Sequence, residues 1–207
     1  MFRANKSAVT ASTLLLLAAA SLPAGAQPAA TRTPSEVQAG AYSVDPYHTQ
    51  IGFTLSHMGF SNFSGRLSGI TGTLTLADGD RSASKISVSV PAKSFSTSVE
   101  KLDGELAGAD WFDTAKYPAI TFISTKVTPT GPGSATIAGD LTMHGVARPV
   151  TLTAHFVGAG SNPLNKAYTV GFDAVGTVKR SDFGVTKYVP LIGDEVELSL
   201  HGAFEKQ

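Results

Sequence analysis

The chain has 207 residues, with sixteen basic and sixteen acidic side chains, five histidines and no cysteine, and is formally neutral at pH 7. This balance excludes the basic stripe of a nucleic-acid-binding protein and the polybasic patch that holds an anionic membrane surface. The absence of cysteine excludes disulfide staples, thiol nucleophiles and thiolate metal sites, so the core must hold the fold by itself.

In chain order, the first feature is an export leader over residues 1–26. Arg3 and Lys6 precede an apolar run through Leu14–Leu17 and Ala18–Ala20, and Ala24-Gly25-Ala26 offers a small-residue cleavage site. The run is short for a membrane-spanning helix. Cleavage after Ala26 removes two of the sixteen basic residues and no acidic one, which leaves a formal charge of −2. Residues 27–40 (QPAATRTPSEVQAG) are rich in Pro, Ala and Thr, lack periodicity and read as a flexible lead-in. The remainder, 41–207, has the length of one domain with a sizeable core.

From Gly40 onward, turn clusters alternate with period-two apolar patterns, the mark of half-buried strands. Eight strands are expected, near 42–58, 63–77, 84–95, 119–128, 135–144, 149–157, 167–180 and 194–205. Ile51, Phe53 and Leu55 share one register of the first strand, and His57 falls in line with them. Phe122 belongs to the fourth strand and Leu141 and Met143 to the fifth; Phe172 lies on the seventh and Leu198 on the eighth. Short turns and one apolar register per strand favour an all-β, eight-stranded up-and-down antiparallel barrel. A two-sheet sandwich is the competing architecture, but no excursion of Greek-key length stands out.

One segment breaks the strand pattern, between the third and fourth strands. In residues 96–118, Thr97 stands three residues before Glu100, a capping-box spacing, and Val99, Leu102, Leu106 and Ala109 follow at helical spacing. Tyr117-Pro118 stops the run, and Gly104 and Gly108 make the helix dependent on packing against the barrel. Trp111 and Phe112 either line a pocket or seat this helix. Asp103, Glu105, Asp110 and Asp113 read as its solvated face rather than as a catalytic carboxylate pair.

In an up-and-down barrel, odd strands end at the rim where even strands begin. The helix, His57, His144, Arg180 and the loop RSDFGVTKYVPLIGD therefore share one rim, while Asp45 and His48 fall toward the other. Parity aims His57 and Arg180 inward and leaves His144 on the rim or facing out. An inward histidine and arginine at an apolar mouth suit an acceptor-rich or anionic head group. The structural alternative is an Arg180 ion pair with Asp182 or Asp113, and a His57 ring bonded to a backbone carbonyl. Glycines 65, 72, 139, 176 and 202 interrupt the inward registers, either leaving space or relieving crowding where the sheet coils.

Catalytic patterns are scarce. HExxH, GxSxG, P-loop and GxGxxG arrangements are absent, and His48 and His57 lie roughly 30 Å apart if on one extended strand, too far to share a metal.

The residues do add up to a family resemblance. Asp45-x-x-His48-Thr49-x-Ile51-x-Phe53-x-Leu55-x-His57, then SFSTSVEKLDGELAGADWFDTAKYPAITF, GDLTMHGVARPVTL (139–152), RSDFG (180–184) and IGDEVEL (192–198), resemble the YceI-like, polyisoprenoid-binding family. Trp111-Phe112-Asp113 replaces a more usual Phe-Phe-Asp. The resemblance implies an exported periplasmic protein with a lipocalin-like barrel whose apolar pore holds a long isoprenoid, an isoprenoid quinone or a similar lipid. It implies a carrier rather than an enzyme, with no cofactor beyond the bound lipid, and roles in lipid transport or stress responses. Transient membrane contact and a homodimer are compatible with it. The candidate ligand-binding residues are Ile51, Phe53, Leu55, His57, Trp111, Phe112, Phe122, Leu141, Met143, Phe172, Arg180 and Leu198. An enzyme using His57 as acid/base on a bound lipid, or a haem- or metal-binding barrel, is the alternative.

Overall fold

The computed structural model describes residues 30–207; the leader expected over 1–26 and the first residues of the lead-in lie outside that range. Among the described residues the strands are β1 (Gly40–Val44), β2 (Gln50–His57), β3 (Ser61–Leu67), β4 (Thr71–Leu76), β5 (Lys85–Pro91), β6 (Ala119–Gly131), β7 (Ser134–Met143), β8 (Val146–Ser161), β9 (Tyr168–Lys179) and β10 (Glu195–Lys206), with one α-helix, α1 (Glu100–Ala107). All neighbours are antiparallel, in the order β1-β4-β5-β6-β7-β8-β9-β10-β2-β3, and a further β1–β10 pairing closes the ring.

Ten segments make eight walls. β1 and β2 both pair with β10, at Val44↔Phe204 and Ile51↔Leu200, so they are two halves of one strand. β4 pairs with β1 and β3 with β2, so these form the second wall. The result is a closed up-and-down barrel of eight strands, with no sandwich.

Both interruptions fall inside strands expected to be continuous. Pro46 has no N–H to offer a ladder. Asp45 instead turns the chain, its Oδ1 accepting the Tyr47 amide at 2.9 Å and its Oδ2 meeting His48 Nδ1 at 2.6 Å. Thr49 Oγ1 accepts the Ala203 amide at 3.0 Å and donates to the Ala203 carbonyl at 3.1 Å, while the Asp45 amide donates to that carbonyl at 2.8 Å. The ladder to β10 is thereby bridged across the break. Asp45 and His48 thus sit within the wall, not at the far rim where the strand connectivity of the sequence places them. In the second wall, Gly69 at φ +68 turns the chain between β3 and β4.

The helix is shorter than expected and starts differently. Ser98 takes φ +65, so the N-cap is Val99 and Glu100 opens the helix instead of closing a capping box. Asp103 Oδ1 accepts both the Thr97 amide and the Thr97 hydroxyl, each at 2.7 Å. Gly108 ends the helix after eight residues, and 108–118 continue as turns.

Turn chemistry sets the rims. His144 and Gly145 (φ 52 and 75) form a two-residue hairpin turn with both central residues left-handed, which joins β7 to β8 in Met143↔Val146 register. At Gly145 a Cβ would strike the Tyr117 ring. Inside, Gly65 and Gly139 lie under the rings of Phe53 and Phe122, where a Cβ would strike them. These glycines admit aromatic rings from the neighbouring strand; they are not voids.

The core occupies the barrel interior. At its lower end, where β1 begins and β10 ends, Tyr42 and Val170, both fully buried, pack with Val37, Phe204 and Ala159.

Candidate functional site

Inside the barrel, from that end to the mouth, lies a cavity of about 620 Å³ lined almost wholly by apolar side chains of the inward registers. Such a volume suits one small or medium ligand. All twelve candidate binding residues line it: Ile51, Phe53, Leu55 and His57; Trp111 and Phe112; Phe122, Leu141 and Met143; and Phe172, Arg180 and Leu198. Lining runs from Phe172 on β9 to Arg180 just beyond it, a span of eight residues, or about 20 Å along the axis of a tilted strand. The space is narrow and long.

The mouth is built by β2, the segment around α1 and the loop from Gly184 to Asp194. Phe112 stacks on Phe95 at 4.3 Å between centroids, and Phe95 meets Phe53 edge-on at 5.9 Å, which ties the helical segment to the wall. Leu102 and Leu106 of α1 also line the cavity, so the helix both packs and borders the site. Met58 and Tyr188 line it as well, and are 48% and 59% exposed; the cavity therefore reaches the surface between them.

Arg180 is 3% exposed. Its Nε donates to the Gly193 carbonyl at 2.9 Å, and Nη1 and Nη2 donate at 2.8 Å to the carbonyls of Val185 and Ile192. Neither Asp182 nor Asp113 pairs with it; the short, sharply turned loop presents carbonyls where an ion pair was expected. Burial pushes the guanidinium below its ordinary pKa, an effect that Asp194 partly offsets. The Trp111 ring stacks near it at 5.6 Å. Arg180 is first a pin for the loop.

The same loop is stapled from the other side. Asp194 accepts the Ser181 amide at 2.9 Å and its hydroxyl at 2.7 Å. Burial pushes the Asp194 carboxyl up, but the two Ser181 donors, aided by Arg180 and Lys179, outweigh it and hold the pKa below the usual range. The RSDFG and IGDEVEL segments are thus two halves of one clasp.

His57 is placed differently. Its backbone bridges Ile192 and its ring borders the cavity, and among the described residues no hydrogen bond holds that ring. It is a polar group at the mouth free to meet a ligand. His144 turns away: Nδ1 lies 3.0 Å from the Phe183 carbonyl and the ring packs edge-on to Tyr117 at 4.8 Å. Its place on the rim agrees with parity. Among the described residues, no three His, Asp or Glu side chains converge as a metal site.

Sequence reasoning missed Tyr188 and Ile192, which sit in an aperiodic loop, and Pro34 and Val37, which come from the lead-in and line the lower cavity. A single apolar residue in a Pro/Ala/Thr-rich stretch carries no period, and no signal marks it as inward.

Comparison with known proteins agrees with this architecture. A UPF0312 protein of Ectopseudomonas mendocina is 35% identical over 167 residues, covering 80% of this chain and 87% of that protein. The crystal structure of Burkholderia cenocepacia BcnA superposes with a TM-score of 0.70 at 25% identity, over 77% of this chain and 98% of that one. A polyisoprenoid binding domain from Saccharophagus degradans superposes at a TM-score of 0.59 with 14% identity, over 82% of this chain and all of that one, a likeness of fold. The YceI-like domain family matches residues 42–204, and the chain belongs to that family.

Proposed function

We propose that the protein is a periplasmic carrier that holds one long isoprenoid, such as a polyprenyl lipid or isoprenoid quinone, with its tail in the barrel and its head at the mouth. The observation that carries this reading is the continuous apolar lining of a long cavity open beside His57. Each buried methylene is worth about 0.8 kcal/mol, so even half of a long polyprenyl tail offers more than about ten in gross terms. Ordering the tail and losing its free motion take back much of that. The tail supplies affinity, and His57 selects the head group. Exposed apolar residues at the mouth, Phe60 at 87% and Leu191 at 62% with Met58 and Tyr188, support transient contact with a membrane during loading. The leader-type pattern of residues 1–26 supports the periplasmic location.

The test is native mass spectrometry of protein purified from its own envelope, followed by organic extraction. An isoprenoid at one per chain is the expected result. Phe172→Arg, which sets a charge in the lower part of the cavity, should eliminate it while the barrel still melts cooperatively; equal lipid recovery from that variant would refute the reading. A chemically altered lipid that depends on His57 would favour the enzyme reading instead.

A further inference from the structure

Residues 30–38 follow a course that the barrel wall does not require. Thr31 pairs with Ala159 near the end of β8, its amide donating to the Ala159 carbonyl at 2.7 Å and its carbonyl accepting the Ala159 amide at 3.0 Å. Just after β4, Arg81 Nη2 donates to the Val37 carbonyl at 2.8 Å and Nη1 to the Ala77 carbonyl at 2.8 Å. In the eight-walled ring, the walls containing β8 and β4 stand opposite each other, four places apart in either direction. Between these anchors the segment touches both flanks. A Cβ on Gly133, in the β6–β7 turn, would lie 3.0 Å from Pro34, and the Gln38 amide donates to the Tyr168 hydroxyl of β9 at 3.3 Å. Eight tilted strands at their usual spacing make a ring about 16 Å across, and the six peptide steps from Thr31 to Val37, half of them in the 3-10 turn Pro34–Glu36, reach about 16 Å. The segment spans the lower opening as a bar.

Its inner face belongs to the cavity. Val37 is 8% exposed and joins the core cluster with Tyr42, and both Val37 and Pro34 line the cavity. The Tyr42 hydroxyl donates to the Gln38 carbonyl at 2.6 Å, which fixes the bar to the first wall.

We infer that residues 30–38 are a built-in stop that sets the longest chain the barrel accepts. The inference rests on the carrier reading and names the feature that selects among isoprenoids by length. A tail entering beside His57 descends until it meets Val37 and Pro34. Carbons beyond that depth remain at the mouth in water and add no burial, so affinity stops rising with length.

The experiment offers the mature chain a mixture of polyprenols from farnesol to undecaprenol in detergent. The retained species are read by native mass spectrometry and extraction, with thermal melting as the control for folding. The same mixture is offered to Val37→Gly, to Arg81→Ala, which removes the latch, and to a chain lacking residues 27–38. In the wild type, recovery should level off at a chain length short of undecaprenol. In each variant the ratio of undecaprenol to the wild-type optimum should rise about tenfold, the ratio that ~1.4 kcal/mol of added chain burial gives. Val37→Phe should move the limit to shorter chains. If the deletion does not fold, the three single substitutions decide the matter. An unchanged length limit in variants that bind and melt cooperatively overturns the stop and leaves the carrier reading standing. No retention of any polyprenol by the wild type overturns the carrier reading itself.

Discussion

Arg180 and His57 stand at the same mouth with the same inward parity, and their surroundings divide the labour. Arg180 donates to three loop carbonyls in a site with little solvent, so its replacement strands those acceptors as well as removing a charge. Arg180→Ala should destabilise the barrel by about 3 kcal/mol, and Arg180→Lys should recover only a fraction, because an ammonium cannot reach the three carbonyls in one plane. Denaturant melts check both. His57→Ala should leave those melts within about 0.5 kcal/mol of wild type and alter which head groups are retained, as read from extracted lipids. Asp45 and Asp194 add a pH dependence. Burial pushes Asp45 up, but His48 and the Tyr47 amide outweigh it, and both carboxyls lie below their ordinary range in the folded state. Their contribution is complete above the unfolded carboxyl pKa of about 4 and disappears as pH falls through the lower folded values. The melting temperature should therefore fall on acidification below about pH 4, and Asp194→Asn should flatten that fall.

At the level of elements, the places where sequence periodicity misleads are the places where a side chain takes over a backbone hydrogen bond. The first strand reads as continuous because Val44 and Ile51 both belong to apolar runs, yet Pro46 cannot serve a ladder, and Asp45 and Thr49 supply the missing partners. The helix reads as long because Val99, Leu102, Leu106 and Ala109 keep helical spacing, yet Gly108 ends it and Asp103 captures Thr97. Asp103→Ala should cost about 1 kcal/mol, since it frees both Thr97 donors at the start of α1. The β7–β8 turn is stricter. Gly145→Ala combines a left-handed φ with a Cβ driven into the Tyr117 ring, and a loss of about 2 kcal/mol or more in a urea melt is expected.

Across the whole molecule, closure matters most. A closed ring leaves no free edge, so the inward registers of eight walls face one another across a single interior. At its lower end Tyr42, Val170 and Phe204 pack tightly, and a cavity lined on every side runs from Pro34 and Val37 up to the mouth. Phe172 lines the lower part of that cavity, edge-on to Phe156 at 5.9 Å and Phe204 at 6.3 Å. That position is why a charge there should abolish lipid uptake without dismantling the floor beneath it.

The sequence alone determined the strands, their inward faces and the shared rim of His57, Arg180 and the helix, because period two and chain reversal are local properties that eight successive segments state independently. It carried ten of the twelve cavity-lining positions for the same reason, since parity along a strand is fixed by the pleat; Trp111 and Phe112 lie in the turns after α1, where no such period runs. Tertiary structure decided what no local pattern encodes. Whether the interior is hollow depends on how side chains from different walls meet, as when the rings of Phe53 and Phe122 cover Gly65 and Gly139. Whether Arg180 faces a carboxylate or a ring of carbonyls depends on a loop folded back by thirteen residues of chain onto its own start. The floor under the cavity depends on Val37, a lone valine in an aperiodic lead-in, whose role exists only because the closed ring leaves an opening for it to cross.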